Sequence, residues 1–121
     1  MRYMCLVHFD IATFQNAPLE RQQDINRRSL AYDAKLRAEG HYLASEAIEG
    51  GDSGILVRVR DGQMSTTDGP FIETKEQMAG FVLLEARDMN EAVRLAAGIP
   101  IAEFGTIEVR PVFIIPTPPP L

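Results

Sequence analysis

The chain has 121 residues with a formal net charge of -5, and its composition is that of an ordinary globular protein. One domain of this size buries roughly 65–70% of the surface its unfolded chain exposes, enough for a single core, and no second domain fits beside it. The acidic balance lacks the basic footprint that nucleic acid requires, no apolar run reaches the ~18–20 residues of a membrane span, and MRYMCLVHFD is broken too early by His8 and Asp10 to be a signal peptide, so a cytoplasmic protein is expected.

Residues 2–9 (RYMCLVHF) form a short β-rich apolar run, which predicts a first strand. The lone Cys5 lies inside it, so no internal disulfide can form and an inert buried thiol is expected. Residues 16–39 change to helical spacing, with Ile25, Ser29, Tyr32 and Leu36 on one face. The expected helix starts at Asn16, carries Pro18 in its first turn and stops at Gly40. Residues 41–48 (HYLASEAI) read as a weaker strand and 49–54 (EGGDSG) as a turn. ILVRVR at 55–60, Asp61-Gly62 and QMSTT at 63–67 then give the strongest hairpin signal in the chain.

Further on, GFVLLEA (80–86) predicts a strand that is apolar on both faces, and residues 88–100 a helix with Asp88 as cap, Glu91 three positions later and Gly98 and Pro100 as stops. TIEVRPVFII (106–115) reads as the last strand, so residues 1–115 make a single domain ahead of a Pro-rich tail at 116–121. The order β-α-β-β-β-β-α-β, stripped of its inserted hairpin, matches a ferredoxin-like α+β plan in which two helices cover one face of an antiparallel sheet. Alternation assigns Tyr3, Cys5, Val7, Val82, Leu84, Ile107, Val109 and Phe113 to the helix side. Met4, Leu6, His8, Phe81, Leu83, Glu85, Glu108, Arg110 and Val112 then fall opposite. That mixed second face has no helix left to cover it, which points to a homodimer with a cleft between subunits.

Ionisable side chains on this face carry the candidate chemistry. His8 is suited to general acid–base work with Asp10, Asp68 or Glu108 to orient it, and the pairing with Asp68 is the one expected for catalysis. Arg110 and Arg58 are candidates for binding a carboxylate, against pairing with Glu108 or Asp61. His41, just past the helix stop at Gly40, reads as a surface cap, and two isolated histidines give no metal-ligand spacing. No Gly-rich phosphate loop, nucleophile elbow or Cys pair occurs, so no cofactor is expected.

In TTDGPFIETKEQMAGF (66–81), Asp68, Gly69 and Pro70 predict a rigid corner with Gly69 at positive φ and Phe71 as an anchor beneath it. Glu73, Lys75 and Phe81 are then cleft-lining groups beside it, or parts of a wet connection.

The run DGPFIETKEQMAGF, with MRYMCLVHFD before it and IPIAEFGTIEVRPV after it, closely resembles the DGPF domain family, also described as YCII-related proteins. The likeness covers nearly the whole chain up to about Phe113. It implies a ferredoxin-like subunit that dimerises through its sheets as in dimeric α+β barrels, and some members are encoded beside extracytoplasmic-function sigma factors. The broader superfamily is linked to lyase or dehydrochlorinase chemistry through a His and an Asp, the His lying on the first helix. Here that helix has no histidine, the aligned position lies near Ser29, and Ile99 rather than Asp precedes Pro100. The family's acid–base pair therefore does not carry over. Two functions are expected: a dimeric small-molecule-binding or regulatory protein, acting with a sigma factor, or a lyase or isomerase working on a carboxylated or aromatic metabolite with His8 as base and Arg110 as anion holder.

Overall fold

The computed structural model of the protein describes residues 1–69 and 75–120. Six strands and three α-helices follow one another as β1 (Arg2–Phe9), α1 (Ile11–Gln15), α2 (Leu19–Ala38), β2 (Tyr42–Ala47), β3 (Ile55–Arg60), β4 (Gln63–Asp68), β5 (Gln77–Glu85), α3 (Met89–Ala97) and β6 (Thr106–Pro111). β2, β5, β1 and β6 lie side by side, in that order, as a four-stranded antiparallel sheet. β3 and β4 pair only with each other. The class is α+β, with three helices where two were expected.

The extra helix is α1, and its cause is local. Asp10 accepts hydrogen bonds from the Thr13 backbone N–H at 3.0 Å and the Thr13 hydroxyl at 2.8 Å, which caps a single short turn. Phe14 then stacks on Phe104 with ring centroids 5.7 Å apart and meets Phe9 edge-on at 5.6 Å, pinning the turn to the body. α2 starts later than expected because Pro18, at φ -53 and ψ 140, is the extended residue before the helix rather than part of it. In α3 the Glu91 N–H donates to Asp88 and the Glu91 carboxylate reaches back to the Arg87 N–H, a cap that satisfies two otherwise orphan donors.

β6 ends at Pro111 rather than at residue 115, because its partner β1 runs out: Tyr3 pairs with Pro111, and Val112 makes the last bond, to the Arg2 carbonyl. Phe113 accordingly lies beyond the sheet and is exposed, not on the helix side. The other expected core residues do sit there. Tyr3, Cys5, Val7, Val82 and Leu84 are buried, with Ile25 and Leu36 of α2 and Ala92 and Ala96 of α3 completing the core. Burial pushes the Cys5 thiol up to about 11, so it is not a thiolate at neutral pH.

Gly69 does not have positive φ. Glycine is needed there for a different reason: its N–H donates to the Gly54 carbonyl at 2.7 Å, and a Cβ would meet the Gly51 carbonyl oxygen at 1.9 Å. Asp68, next to it, closes β4 opposite Ile55. Pro70, Phe71 and Glu73, the remainder of the expected corner, lie outside the described residues.

Candidate functional site

The expected site residues divide among three places. His8 and Arg110 share the open face of the sheet, and Glu108 stands between them, its carboxylate 3.3 Å from His8 Nε2 and 3.2 Å from Arg110 Nε. Strand register explains the grouping: Leu6 faces Glu108, Met4 faces Arg110, and Met4, Leu6 and His8 alternate onto one side. The side chains are 28% (His8), 46% (Glu108) and 65% (Arg110) exposed, so water screens the group.

The residues expected to complement His8 are elsewhere. Asp68 is at the end of the β3–β4 ribbon and makes no side-chain hydrogen bond among the described residues, so the carboxylate beside His8 is that of Glu108. Arg58 also lies on the ribbon and is exposed. Asp10 is committed to capping α1, where the two bonds from Thr13 hold its carboxyl below the usual range, with the charge of Lys75 adding to the effect. Phe81 pairs with Leu6 and Glu46 in the sheet. His41 stops α2 through its backbone N–H to the Leu36 carbonyl, while its Nδ1 is 2.9 Å from the Glu85 carbonyl.

A second constellation lies on the other side of the sheet, and sequence reading named only its margin. Between α2 and the sheet is a cavity of about 130 Å³, walled by Val7, Val82, Ile99 and Ile101 and by the hydroxyl and carboxyl groups of Ser29, Tyr32, Asp33 and Ser45. Small residues make the space: Ala47, Ala79 and Gly80 form its floor, and a Cβ on Gly80 would meet the Glu46 carbonyl oxygen at 2.5 Å. Between Val7 and His8 the β1–β5 register shifts, leaving Ala79 as an extra residue that turns inward. An adjoining open cleft of about 650 Å³ shares Ala47, Ala79 and Ile101 with the cavity and leads outward past Gln22, Asn26 and Glu49.

The polar wall is ordered by a chain of hydrogen bonds. Ser45 Oγ donates to Asp33 at 3.3 Å. Its single proton is then used, so the Tyr42 hydroxyl, 2.7 Å away, is the donor to Ser45. Arg37 stacks over the Tyr42 ring at 4.3 Å, fixing that end of the chain. Tyr32 is anchored separately by its hydroxyl, which donates to the Leu95 carbonyl at 2.6 Å. Burial raises the Asp33 carboxyl above its ordinary range, while the Ser45 bond and the Arg37 charge pull the other way. A carboxyl of this kind, at the edge of a cavity and raised by desolvation, is suited to hold or release a proton near an apolar ligand.

One signal in the sequence could have found Asp33. It follows Ser29 by four residues on the helix face that Ile25, Ser29, Tyr32 and Leu36 already define, so an acid sits at the margin of a core-facing stripe.

Fold and site together define an α+β protein with a helix-covered cavity on one face of an antiparallel sheet. The model of the YCII-related domain matches residues 1–116, and the chain belongs to that family. An uncharacterized protein of Rhizobium meliloti (strain 1021) is 42% identical over 52 residues, which are 41% of this chain and 42% of that protein. The match thus spans less than half the length of this curated relative. The structure is similar to that of 5-chloro-2-hydroxyhydroquinone dehydrochlorinase (TftG) from Burkholderia phenoliruptrix AC1100 in complex with 2,5-dihydroxybenzoquinone. The TM-score is 0.57 at 15% identity, covering 93% of this chain and 94% of the other, a likeness of fold. No helix among the described residues is long and apolar enough to cross a membrane.

Proposed function

We propose that the chain is a homodimeric small-molecule-binding protein of the YCII-related family, with its ligand lodged between α2 and the sheet. The observation that carries this reading is the cavity of about 130 Å³ with an apolar floor and an ordered polar wall. Its volume is close to that of an engineered cavity of about 150 Å³ that takes up benzene, so a single six-membered ring is the size expected. Ser29 and Asp33 would meet hydroxyl or carbonyl groups on the ring edge, the arrangement of few polar groups in an apolar pocket that orients small ligands. The likeness in fold to a protein whose complex holds 2,5-dihydroxybenzoquinone supports a ring of this type.

The homodimer is supported by the open face, where Met4, Leu6, Phe81 and Leu83 are only half-buried and a second copy is the simplest cover. Light scattering should then give about twice the 13.4 kDa chain mass. The same proposal places the protein in the cytoplasm, with an extracytoplasmic-function sigma factor as the partner to which occupancy is reported.

Calorimetric titration with hydroquinone tests the cavity. Wild type should bind, and Ser29→Leu, which fills the space from the helix side, should weaken binding at least about tenfold. Equal binding by both proteins sinks the assignment.

A second reading, acid–base lyase or isomerase chemistry, is favoured by the raised Asp33 carboxyl specifically. The His8, Glu108 and Arg110 group is the weaker seat for that chemistry because its one carboxylate is already engaged by both His8 and Arg110. Solvent-deuterium incorporation into the ring C–H positions of benzene-1,2,4-triol separates the readings. Incorporation by wild type and none by Asp33→Asn supports acid–base chemistry, whereas none by either leaves binding as the function.

A further inference from the structure

The polar groups that wall the cavity differ in how much hydrogen-bonding capacity they have left. They belong to Ser29, Tyr32, Asp33, Ser45 and Glu46, and among the described residues no Lys, Arg, His, Asn or Gln joins them. The Tyr32 proton is used on the Leu95 carbonyl at 2.6 Å, so that hydroxyl can only accept from a ligand. Ser45 is in the same state. Its proton goes to Asp33 Oδ2 at 3.3 Å and the Tyr42 hydroxyl, 2.7 Å away, occupies one lone pair, which leaves the other. Asp33 takes that single bond on Oδ2, and its Oδ1 receives no hydrogen bond from any described residue. Above its raised titration range this carboxyl is ionised and accepts only. Arg37, whose charge acts on Asp33, stacks on the Tyr42 ring and is not in the wall. Among the described residues, the side-chain donor left to the cavity is the Ser29 hydroxyl, which bonds none of them.

We infer that the cavity selects a ring that gives hydrogen bonds, a neutral phenol or dihydroxylated arene, over a quinone or an arene carboxylate of the same size. The inference rests on the binding reading above and narrows its ligand from any small polar ring to one with hydroxyl donors. Free capacity in the wall is acceptor at Asp33 Oδ1, Ser45 and Tyr32 and donor at Ser29. A ring hydroxyl suits that balance, because its proton can go to Asp33 in a charge-assisted bond while its oxygen takes the proton of Ser29, four residues away on the same face of α2. A ring carbonyl can use only Ser29. Set against Asp33 it brings two acceptors together and leaves a partly desolvated carboxylate unpaired, the costly outcome in an apolar pocket. A ring carboxylate adds like-charge repulsion to the same loss. The site thus distinguishes oxidation states: the hydroquinone form is held, and the quinone form, which has lost both hydroxyl protons, is rejected.

Calorimetric titration of wild type and Asp33→Asn with hydroquinone, 1,4-cyclohexanedione and benzoate, at about pH 7.5 under nitrogen, tests the selection. The dione carries two carbonyls on a six-membered ring without the thiol addition of a quinone. Wild type should favour hydroquinone over the dione at least about tenfold and show no binding of benzoate. Asp33→Asn keeps an oxygen for Ser45 and offers an N–H donor in place of the free carboxylate oxygen. The hydroquinone-to-dione ratio should therefore fall at least about tenfold in this variant, with the far-UV spectrum unchanged. The wild-type comparison holds even if the variant folds poorly: equal affinity for the two rings, or benzoate bound as tightly as hydroquinone, overturns the selection while leaving the cavity as the ligand site. A hydroquinone preference undiminished in a folded Asp33→Asn protein also overturns it, because the preference then has another source. If wild type takes up none of the three, the binding reading and the selection fall together.

Discussion

The two faces of the central sheet are built from alternate residues of the same strands, yet they handle polar groups in opposite ways. On the helix side Cys5, Val7, Val82 and Leu84 are buried, and the few polar groups near them, Asp33, Ser45, Tyr42 and Tyr32, are each held by a named partner. On the open side His8, Glu108 and Arg110 form a contiguous charged group in contact with water. Charged residues on strands are easy to notice in a sequence, but solvent screening leaves such pairs little energy. Desolvation is what changes the chemistry of a carboxyl, and at Asp33 it is the largest influence, raising the group above its ordinary range.

The largest expected effect contrasts the faces directly. Leu84→Ala empties a fully buried position and should cost about 2–5 kcal/mol in urea unfolding, whereas Leu6→Ala in a monomeric background should cost about 1 kcal/mol or less. Equal losses would break the distinction between core face and open face.

Next comes the cavity wall. A Cβ at Gly98 would stand 2.3 Å from the Tyr32 hydroxyl, so Gly98→Ala must displace the ring that borders the cavity. A loss of about 1–3 kcal/mol together with weaker hydroquinone binding is expected. A Gly98→Ala protein that melts and binds like wild type would show that Tyr32 is not fixed.

Asp33 gives a smaller effect with a definite sign. Its carboxyl is raised in the folded protein, so the folded state holds a proton that the unfolded state has already lost. Stability from this residue is therefore fullest below the unfolded value, near 3.9, and declines as pH rises through the folded one. Asp33→Asn should gain in melting temperature relative to wild type between about pH 4 and pH 7, since the amide can still accept from Ser45. A pH-independent difference would place Asp33 in water.

The smallest effect belongs to the open face. Glu108→Gln in a monomeric background should change stability by no more than about 1 kcal/mol, shrinking further in 0.5 M salt. A large, salt-insensitive loss there would mean that the subunit itself shields this group from water.

Much of the fold was readable because local chemistry and tertiary packing agree. ILVRVR, Asp61-Gly62 and QMSTT form the ribbon in the expected register, with Asp61 at φ 52 and Gly62 at φ 74 as the turn requires, and Asp88 with Glu91 caps α3. The misreadings arose where distant residues decide. The end of β6 depends on where β1 begins, α1 depends on a ring cluster that includes Phe104, and Gly69 is required by backbone from residues 51 and 54 rather than by its own φ. Likewise Asp33 reads as one more solvated helix acid until Ser45 of β2 is brought against it, and that contact leaves no mark in sequence spacing. His8, Glu108 and Arg110, by contrast, were placed on a common face by alternation alone.

The central claim is that the ligand site lies under α2 and not on the open face. Titrating isotopically labelled protein with hydroquinone and following backbone amide shifts tests it directly. The account predicts saturable shifts at Ser29, Asp33, Ser45 and Ala79, abolished by Ser29→Leu. Shifts confined to His8, Glu108 and Arg110, with the α2 amides unmoved, would contradict it.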